Sequence, residues 1–420
     1  MAVVENIWRP SAMQVSKTKG DSPPGFNSVR LVGNRISMDI LEPIPINSLD
    51  DWNNVIFELD AWGDVPDPKV LEIISQSSHE RGLLVEIKCS GVEWLAEFLP
   101  WGSDNRIESR AINSHSSVDG PSGGYRWKEQ DIIILRKVKD YRSNSNNELM
   151  QVLKEGNKEI ATSILYNSGK SLGLYHSSVV SIRETPMDQK RWNNRLIDLE
   201  EKLRANTIWR APFSRKATCM LSLGDVRFHD ILITESDDYL LRLSPPRLAD
   251  GLYKPVCEFP AIRDLSCLIQ DLGRLYHETQ CQIDIIDLRK SLIEGWIDSA
   301  PSSWSSPDVF YAHRGGLAIW EYEQSLLDVL ESTANQSGAP SPAVQIISKV
   351  IPFQKSMYNS RTIAALSFIS VFLGISTVIN NPPTSFSDTI IPSFCIIFGY
   401  FAHSFYRRLS PPPEKPITDL

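Results

Sequence analysis

The 420 residues carry 43 Lys and Arg against 51 Asp and Glu, a formal net charge of −8, with 42% hydrophobic residues. A chain of this length buries a sizeable core and is expected to divide into two lobes or domains. The acidic balance, with no basic stripe to override it, excludes a nucleic-acid binder held by phosphate contacts.

The first residues, MAVVENIWRPSAMQVSKTKG, lack the apolar core of a signal peptide. Residues 1–27 are expected to form a flexible N-terminus on the cytosolic side. SVRLVGNRISMDIL (28–41) and NNVIFELDAW (53–62) read as strands, being β-branched and partly alternating. DPKVLEIISQSSHERG (67–82) has an Asp-Pro start and a Gly stop, which predicts a helix. LLVEIKC (83–89) is a further strand, and GVEWLAEFLPWG (91–102) has the spacing of a short amphipathic helix. Residues 102–124 read as a polar loop, and DIIILRKV (131–138) closes a β-rich first lobe of residues 28–140.

From residue 147 the pattern turns helical. Ile160, Ile164, Leu165, Leu172, Tyr175 and Val179 recur at helical spacing, and RWNNRLIDLEEKLRA (191–205) follows as an amphipathic helix. Two strand-like runs, ATCMLSLGD and DILITESDDYLLRLS, precede a helix that places Leu265, Leu268, Ile269, Leu272 and Leu275 on one face. Residues 141–332 thus predict a helical lobe interrupted by a hairpin. SGKS (168–171) is not a phosphate-binding loop, because the glycine that motif needs five residues earlier is Ile164. GPSGG (120–124) follows several elements and reads as a flexible loop. The six cysteines are scattered, with no CxxC pair and no zinc spacing, and read as reduced thiols.

The C-terminal part is the most explicit. STANQSGAPSP reads as a linker and PAVQIISKVIPFQKSMY as an interfacial helix, together filling 333–360. TIAALSFISVFLGISTVI (362–379) and TIIPSFCIIFGYFAHSFY (389–406) each approach the length that crosses a bilayer, around the turn NNPPTSFSD. They predict a transmembrane hairpin over 361–406. Lys349, Lys355, Arg361, Arg407 and Arg408 flank it, while the turn has no Lys or Arg. By the positive-inside rule the N-terminal domain and the tail both face the cytoplasm. The tail, 407–420, is Pro-rich and expected to be disordered.

Four segments in order resemble the aminoglycoside phosphotransferase and choline kinase-like superfamily. They are SGKSLGLYHSSVV ending near His176, RWNNRLIDLEEKL, the loop LGDVRFHDILI, and the helix start RDLSCLIQDL. The resemblance implies an α+β bilobal kinase-like fold, with a small β-rich N-lobe and a helical C-lobe, ahead of the transmembrane hairpin. It implies ATP and Mg²⁺ as cofactors. Asp225 matches the catalytic aspartate that orients and deprotonates the acceptor hydroxyl. Asp230 falls where the family has a metal-binding asparagine. Asp264, beside Arg263, matches the aspartate that braces the loop. Lys88, with Glu93 or Glu97 on the next element as its partner, is the best match for the nucleotide lysine, and Lys128 is a weaker one.

The departures weigh against activity. The catalytic-loop histidine is Leu223, and YLLRLSPPR (239–247) has no carboxylate where the family keeps its second metal ligand. Losing that ligand is worth several kcal/mol of transition-state stabilisation, on the order of thousands-fold in rate. Asp237 and Asp238 belong to the hairpin turn, and Asp250 lies beyond SPPRL. His229 reads as a space-filling loop histidine, and Trp94, Trp101, Trp127 and Trp192 mostly as lobe core. The leading expectation is a membrane-anchored pseudokinase that serves as scaffold or regulator of a membrane complex. An active divergent phosphotransferase on a small or lipid-linked hydroxyl, or an unrelated membrane-anchored interaction domain, are the alternatives.

Overall fold

Both lobes grow from short local signals that the sheet and the helix bundle then enforce. A computed structural model describes residues 7–16, 20–33, 36–104, 106–112, 117–180, 185–186, 188–203, 218–254, 258–310 and 316–409. Strands β1 (Gln14–Ser16), β2 (Phe26–Gly33) and β3 (Ile36–Pro43) form an antiparallel sheet. Ser48 caps α1 (Leu49–Ile56) by accepting from the Asp51 N–H, and β4 (Asp60–Gly63) follows. The expected single strand over 53–62 is therefore a helix end and a strand.

The two largest corrections concern the next elements. Residues 67–82 form no helix: Asp67 closes a turn onto the Lys69 N–H, and β5 (Leu71–His79) pairs antiparallel with β6 (Gly82–Cys89). Glu80 and Arg81 form the tip. Gly82 sits at φ +152°, and a Cβ there would lie 2.0 Å from the Phe98 carbonyl oxygen, so the turn needs glycine. Residues 91–102 are likewise strand. Ser90 and Gly91 both have positive φ (51° and 82°), which makes a tight hairpin into β7 (Val92–Asp104). Trp94, Ala96 and Phe98 alternate into the core from β7.

The region 102–124 is more structured than a loop. It holds the end of β7, α2 (Ile107–Ile112), β8 (Val118–Asp119) and the start of β9 (Gly123–Trp127). With β10 (Gln130–Lys137) the six-stranded order is β4-β9-β10-β7-β6-β5. Its core gathers Trp52, Val85, Ile87, Phe98 and Ile133, with the Trp52 ring edge-on to Phe98.

The helical lobe follows the expectation closely. After β11 (Ser143–Asn144), α3 (Ser145–Glu155) is capped by Asn144, and α4 (Lys158–Val180) runs beneath it. Ile164, Leu165, Leu172, Tyr175 and Val179 are buried, whereas Ile160 faces solvent. The short β12 (Thr185–Pro186) and β13 (Thr218–Cys219) pair across α5 (Gln189–Leu203). The hairpin β14 (Ile231–Ile233) and β15 (Tyr239–Arg242) comes next, then α6 (Leu248–Leu252) and α7 (Ala261–Thr279). The lobe closes with α8 (Ile285–Ser299), α9 (Ser302–Ser305), α10 (Pro307–Phe310) and α11 (Leu317–Asn335). SGKS lies inside α4, where its glycine permits close crossing with α8. A Cβ on Gly169 would stand 2.1 Å from the Leu292 carbonyl oxygen.

The N-terminal segment is not free. Trp8 and Met13 are buried in the helical-lobe core, the Ala12 N–H donates to the Ala334 carbonyl, and β1 pairs with β2. At the other end, no extended linker is seen. Residues 336–340 separate α11 from α12 (Ser341–Asn380), a single helix about 60 Å long that continues through Pro352 into the first apolar stretch. It packs against α7 and α11, turns at 381–385 and meets α13 (Phe386–Leu409). Asn359–Asn380 and Phe386–Arg408 are long and apolar enough to cross a membrane, and in each only 11% of the apolar window is buried. A soluble core helix would be mostly covered. The two helices touch through small residues, the Ser367 hydroxyl donating to the Gly399 carbonyl at 2.6 Å. Of the expected disordered tail, 407–420, residues 407–409 still belong to α13, and the rest lies outside the described residues.

Candidate active site and its arginine latch

The loop between β13 and β14 is held from below by buried side chains. Asp264, at the start of α7, accepts from the backbone N–H groups of Leu223 (2.7 Å) and Gly224 (3.3 Å). The Trp296 indole, which can only donate, bonds His176 Nδ1 at 2.9 Å. That assigns the proton to His176 Nε2, which lies 3.3 Å from Asp264 Oδ2. Asp271 accepts from the Phe228 N–H at 2.8 Å, and the Tyr175 hydroxyl donates to the Leu221 carbonyl. A short 3₁₀ turn, Phe228–Asp230, then delivers Asp230 to the mouth of β14.

Asp225 and Asp230 are brought together, each side chain only 2% exposed. What joins them is Arg81, from the tip between β5 and β6. Its Nη2 lies 2.9 Å from Asp225 Oδ2 and 3.4 Å from Asp230 Oδ2, and its Nη1 donates to the Pro245 carbonyl at 3.0 Å. Asp225 also meets Arg227 Nε at 3.1 Å and Arg247 Nη1 at 3.6 Å. Burial opposes the charge on Asp225, but the guanidiniums of Arg227, Arg247 and Arg81 hold its carboxyl well below the usual carboxylate range. Asp230 is likewise held low against its burial, by Arg81 and His229. His229 is partly exposed, its Nε2 3.2 Å from Asp230 Oδ1, so it does more than fill space.

The segment after β15 is fixed in the same network. Ser244 lies in the stretch 239–247, which lacks the second metal carboxylate that the resemblance implies, and its hydroxyl donates to Asp230 Oδ1. Arg247 reaches Glu331 (2.7 Å) and Asp328 on α11. Asp237 lies in the hairpin turn at φ +63°, paired with Arg142. Sequence reasoning passed over Arg81 entirely. The ERG turn between two strands was its only local signal, and the helical reading of 67–82 concealed it.

Mg²⁺ does not suit this set. Two carboxylates are already paired with guanidinium groups, and a third oxygen ligand is a serine engaged with Asp230. Among the described residues, no group of three or more His, Cys, Asp or Glu side chains is arranged to hold a metal ion.

Lys88 and Glu93 do meet, but elsewhere. They are exposed cross-strand partners in β6 and β7, six residues beyond Gly82, roughly 20 Å from the tip. Glu97 is buried and binds Arg136 of β10 at 3.0 Å. Lys128 sits in the β9–β10 turn, paired with Asp21 and stacked over Trp127. None of these lysines joins Asp225. Between the lobes, Arg136 also donates to the carbonyls of Asp119 (3.1 Å) and Leu243. There β8, from the first lobe's chain, pairs in parallel with β15 and completes the separate four-stranded order β11-β14-β15-β8.

No protein-family model matches the sequence, and no curated protein does. Among solved structures, glucosamine kinase superposes with a TM-score of 0.50 at 10% identity, covering 82% of this chain and 94% of that one. The fold is kinase-like. The expected bilobal α+β architecture therefore stands, and the unrelated-domain alternative falls. Glucosamine kinase in complex with glucosamine, ADP and inorganic phosphate superposes at 0.44, with 10% identity over 82% of this chain and 94% of that one. An ethanolamine kinase of Plasmodium vivax gives 0.39 at 12% identity, over 69% and 84%.

Proposed function

We propose that the chain is a membrane-tethered kinase-like protein that has lost phosphoryl transfer and serves as a scaffold or regulator in a membrane complex. The observation that carries this reading is Arg81, which occupies the space between Asp225 and Asp230 and neutralises both. Phosphoryl transfer relies on a positioned cation and an unpaired base at that place. Arg136 and the β8–β15 pairing support the same reading by fixing one contact between the lobes. The two apolar helices form the tether. The basic residues at both outer ends support a cytoplasmic position for the folded domain and the tail, by the positive-inside rule.

The alternative is an active, divergent phosphotransferase, favoured by the retention of both aspartates on a braced loop. It requires Arg81 to withdraw. The full chain in nanodiscs, melted with and without Mg²⁺-ATP, separates the two. No shift in melting temperature, together with a cellular phenotype unchanged by Asp225→Asn, is the expected result. A Mg²⁺-dependent nucleotide shift and loss of phenotype in Asp225→Asn establish the enzyme instead.

A further inference from the structure

A cavity of about 380 Å³ lies between the end of β7 with α2 and the helical lobe, bordered by Leu223, Gly224 and Ser244 but not by Asp225 or Arg81. Its floor carries Asp250 of α6, whose residue is only 6% exposed. The buried Oδ1 of Asp250 has no hydrogen-bond partner among the described residues. Burial also pushes the Asp250 carboxyl above its ordinary range, with Arg263 and Arg195 offsetting this only in part. An orphaned buried acceptor is destabilising, so a fold keeps one where something outside the chain completes it. The walls offer Ile107, Leu223 and Phe259, and the cationic side is built from Arg106, Arg110 and Lys254. Arg106 is paired with Glu258 and Arg110 also has a partner, so Lys254, which is exposed, is the cation best placed to take up an incoming charge.

We infer that this cavity binds a small, water-soluble phosphomonoester that also carries a hydroxyl group. The hydroxyl donates to Asp250 Oδ1, the phosphate lies on the side of Lys254, Arg106 and Arg110, and the short carbon skeleton lies along Ile107, Leu223 and Phe259. The volume falls at the small end of ligand pockets. The inference holds whether or not the neighbouring loop transfers phosphate.

The test is calorimetric titration of the full chain in phosphatidylcholine nanodiscs with glycerol 3-phosphate and with propyl phosphate. The two probes share a charge and differ in their hydroxyls. Saturable binding of glycerol 3-phosphate is expected, with propyl phosphate weaker by about tenfold, the worth of one buried hydrogen bond. Asp250→Ala is expected to erase that difference while melting no lower than the parent, because it removes an unpartnered charge. Lys254→Gln, on the surface, is expected to weaken both esters alike. Four results would each overturn the inference: no saturable binding up to roughly 10 mM, equal affinity for the two esters, unchanged binding in Asp250→Ala, or a well-folded Lys254→Gln that binds as the parent does. An Asp250→Ala protein melting far below the parent would assign the carboxylate a structural role and overturn it too.

Discussion

Replacing Arg81 by alanine tests the latch directly. The substitution takes one guanidinium from between two carboxylates that are each 2% exposed. Removing one member of a buried ion pair costs about 3–5 kcal/mol, because the remaining charge stays desolvated. For a folded part of about 330 residues that is a fall in melting temperature of about 4–7 °C. Asp225 keeps Arg227 and Arg247, so Asp230 bears most of the loss. The vacated space then has the charge to accept a divalent cation. Mn²⁺ at a hundredfold above its dissociation constant should return about 2.7 kcal/mol to the variant and nothing to the parent. Differential scanning calorimetry in nanodiscs, with and without Mn²⁺, reads both effects. The pH dependence has a defined sign. The folded-state pKa values of Asp225 and Asp230 are depressed, so the stabilisation is present above the unfolded value of roughly 3.9 and is lost as pH falls below it. The gap between parent and variant should therefore close on acidification. An Arg81→Ala protein that melts within a degree or so of the parent at pH 7, or a parent that Mn²⁺ itself stabilises, refutes the latch.

Other sites make independent predictions. Asp264→Asn leaves one acceptor for the two N–H groups of Leu223 and Gly224, which should lower stability by about 1–3 kcal/mol and speed amide exchange at both residues. Arg136→Met strands Glu97 and frees the carbonyls of Asp119 and Leu243, so hydrogen exchange should quicken across β8 and β15 ahead of the rest of the sheet. Gly295→Ala places a Cβ 1.9 Å from the Tyr166 carbonyl oxygen and should cost about 1–3 kcal/mol by denaturant titration. For the hairpin, a cysteine introduced at Ser385 should react with impermeant maleimide only on the face of a proteoliposome opposite to the one where protease reaches the N-terminal domain.

How much of this was legible depended on which signal governed each segment. The helical lobe was readable because Ile164, Leu165, Leu172 and Val179 are buried by the same periodicity that marks them in sequence. The apolar helices were readable from length and absence of charge alone. Residues 67–82 were misread because an Asp-Pro start and a Gly stop mimic helix ends, and 91–102 because Trp94 and Phe98 also fit helical spacing; register with neighbouring strands outweighs those weak local preferences. The Ser90–Gly91 turn was the available hairpin cue. Asp225, Asp230 and Asp264 could be located by order along the chain, since one continuous loop and one helix start carry them. Arg81 could not, because it lies 144 residues from Asp225 and only the folded hairpin delivers it.

The changes around the loop are physically one change. With Arg81 in place, Asp225 and Asp230 are neutralised by guanidinium groups, and a carboxylate at the half-buried Ser244 would add a third negative charge beside them with no cation of its own. A hydroxyl there instead donates to Asp230 and adds no charge. Conversely, a divalent cation brought between the aspartates would face the Arg81, Arg227 and Arg247 guanidiniums at ion-pair distance from the same oxygens, a repulsion strengthened by the low dielectric of the site. Placing Asp at position 244 alone should therefore destabilise the protein, by about 1–3 kcal/mol for an unpaired charge at a half-buried position. Combined with Arg81→Ala, the same substitution should cost much less, because the paired change exchanges a guanidinium for a cation site. A double-mutant cycle read by denaturant unfolding in the presence of Mn²⁺ measures that coupling. Strict additivity of the two substitutions would mean that position 244 and Arg81 act independently, whereas a coupling of about 2 kcal/mol or more joins them in one charge system around Asp230.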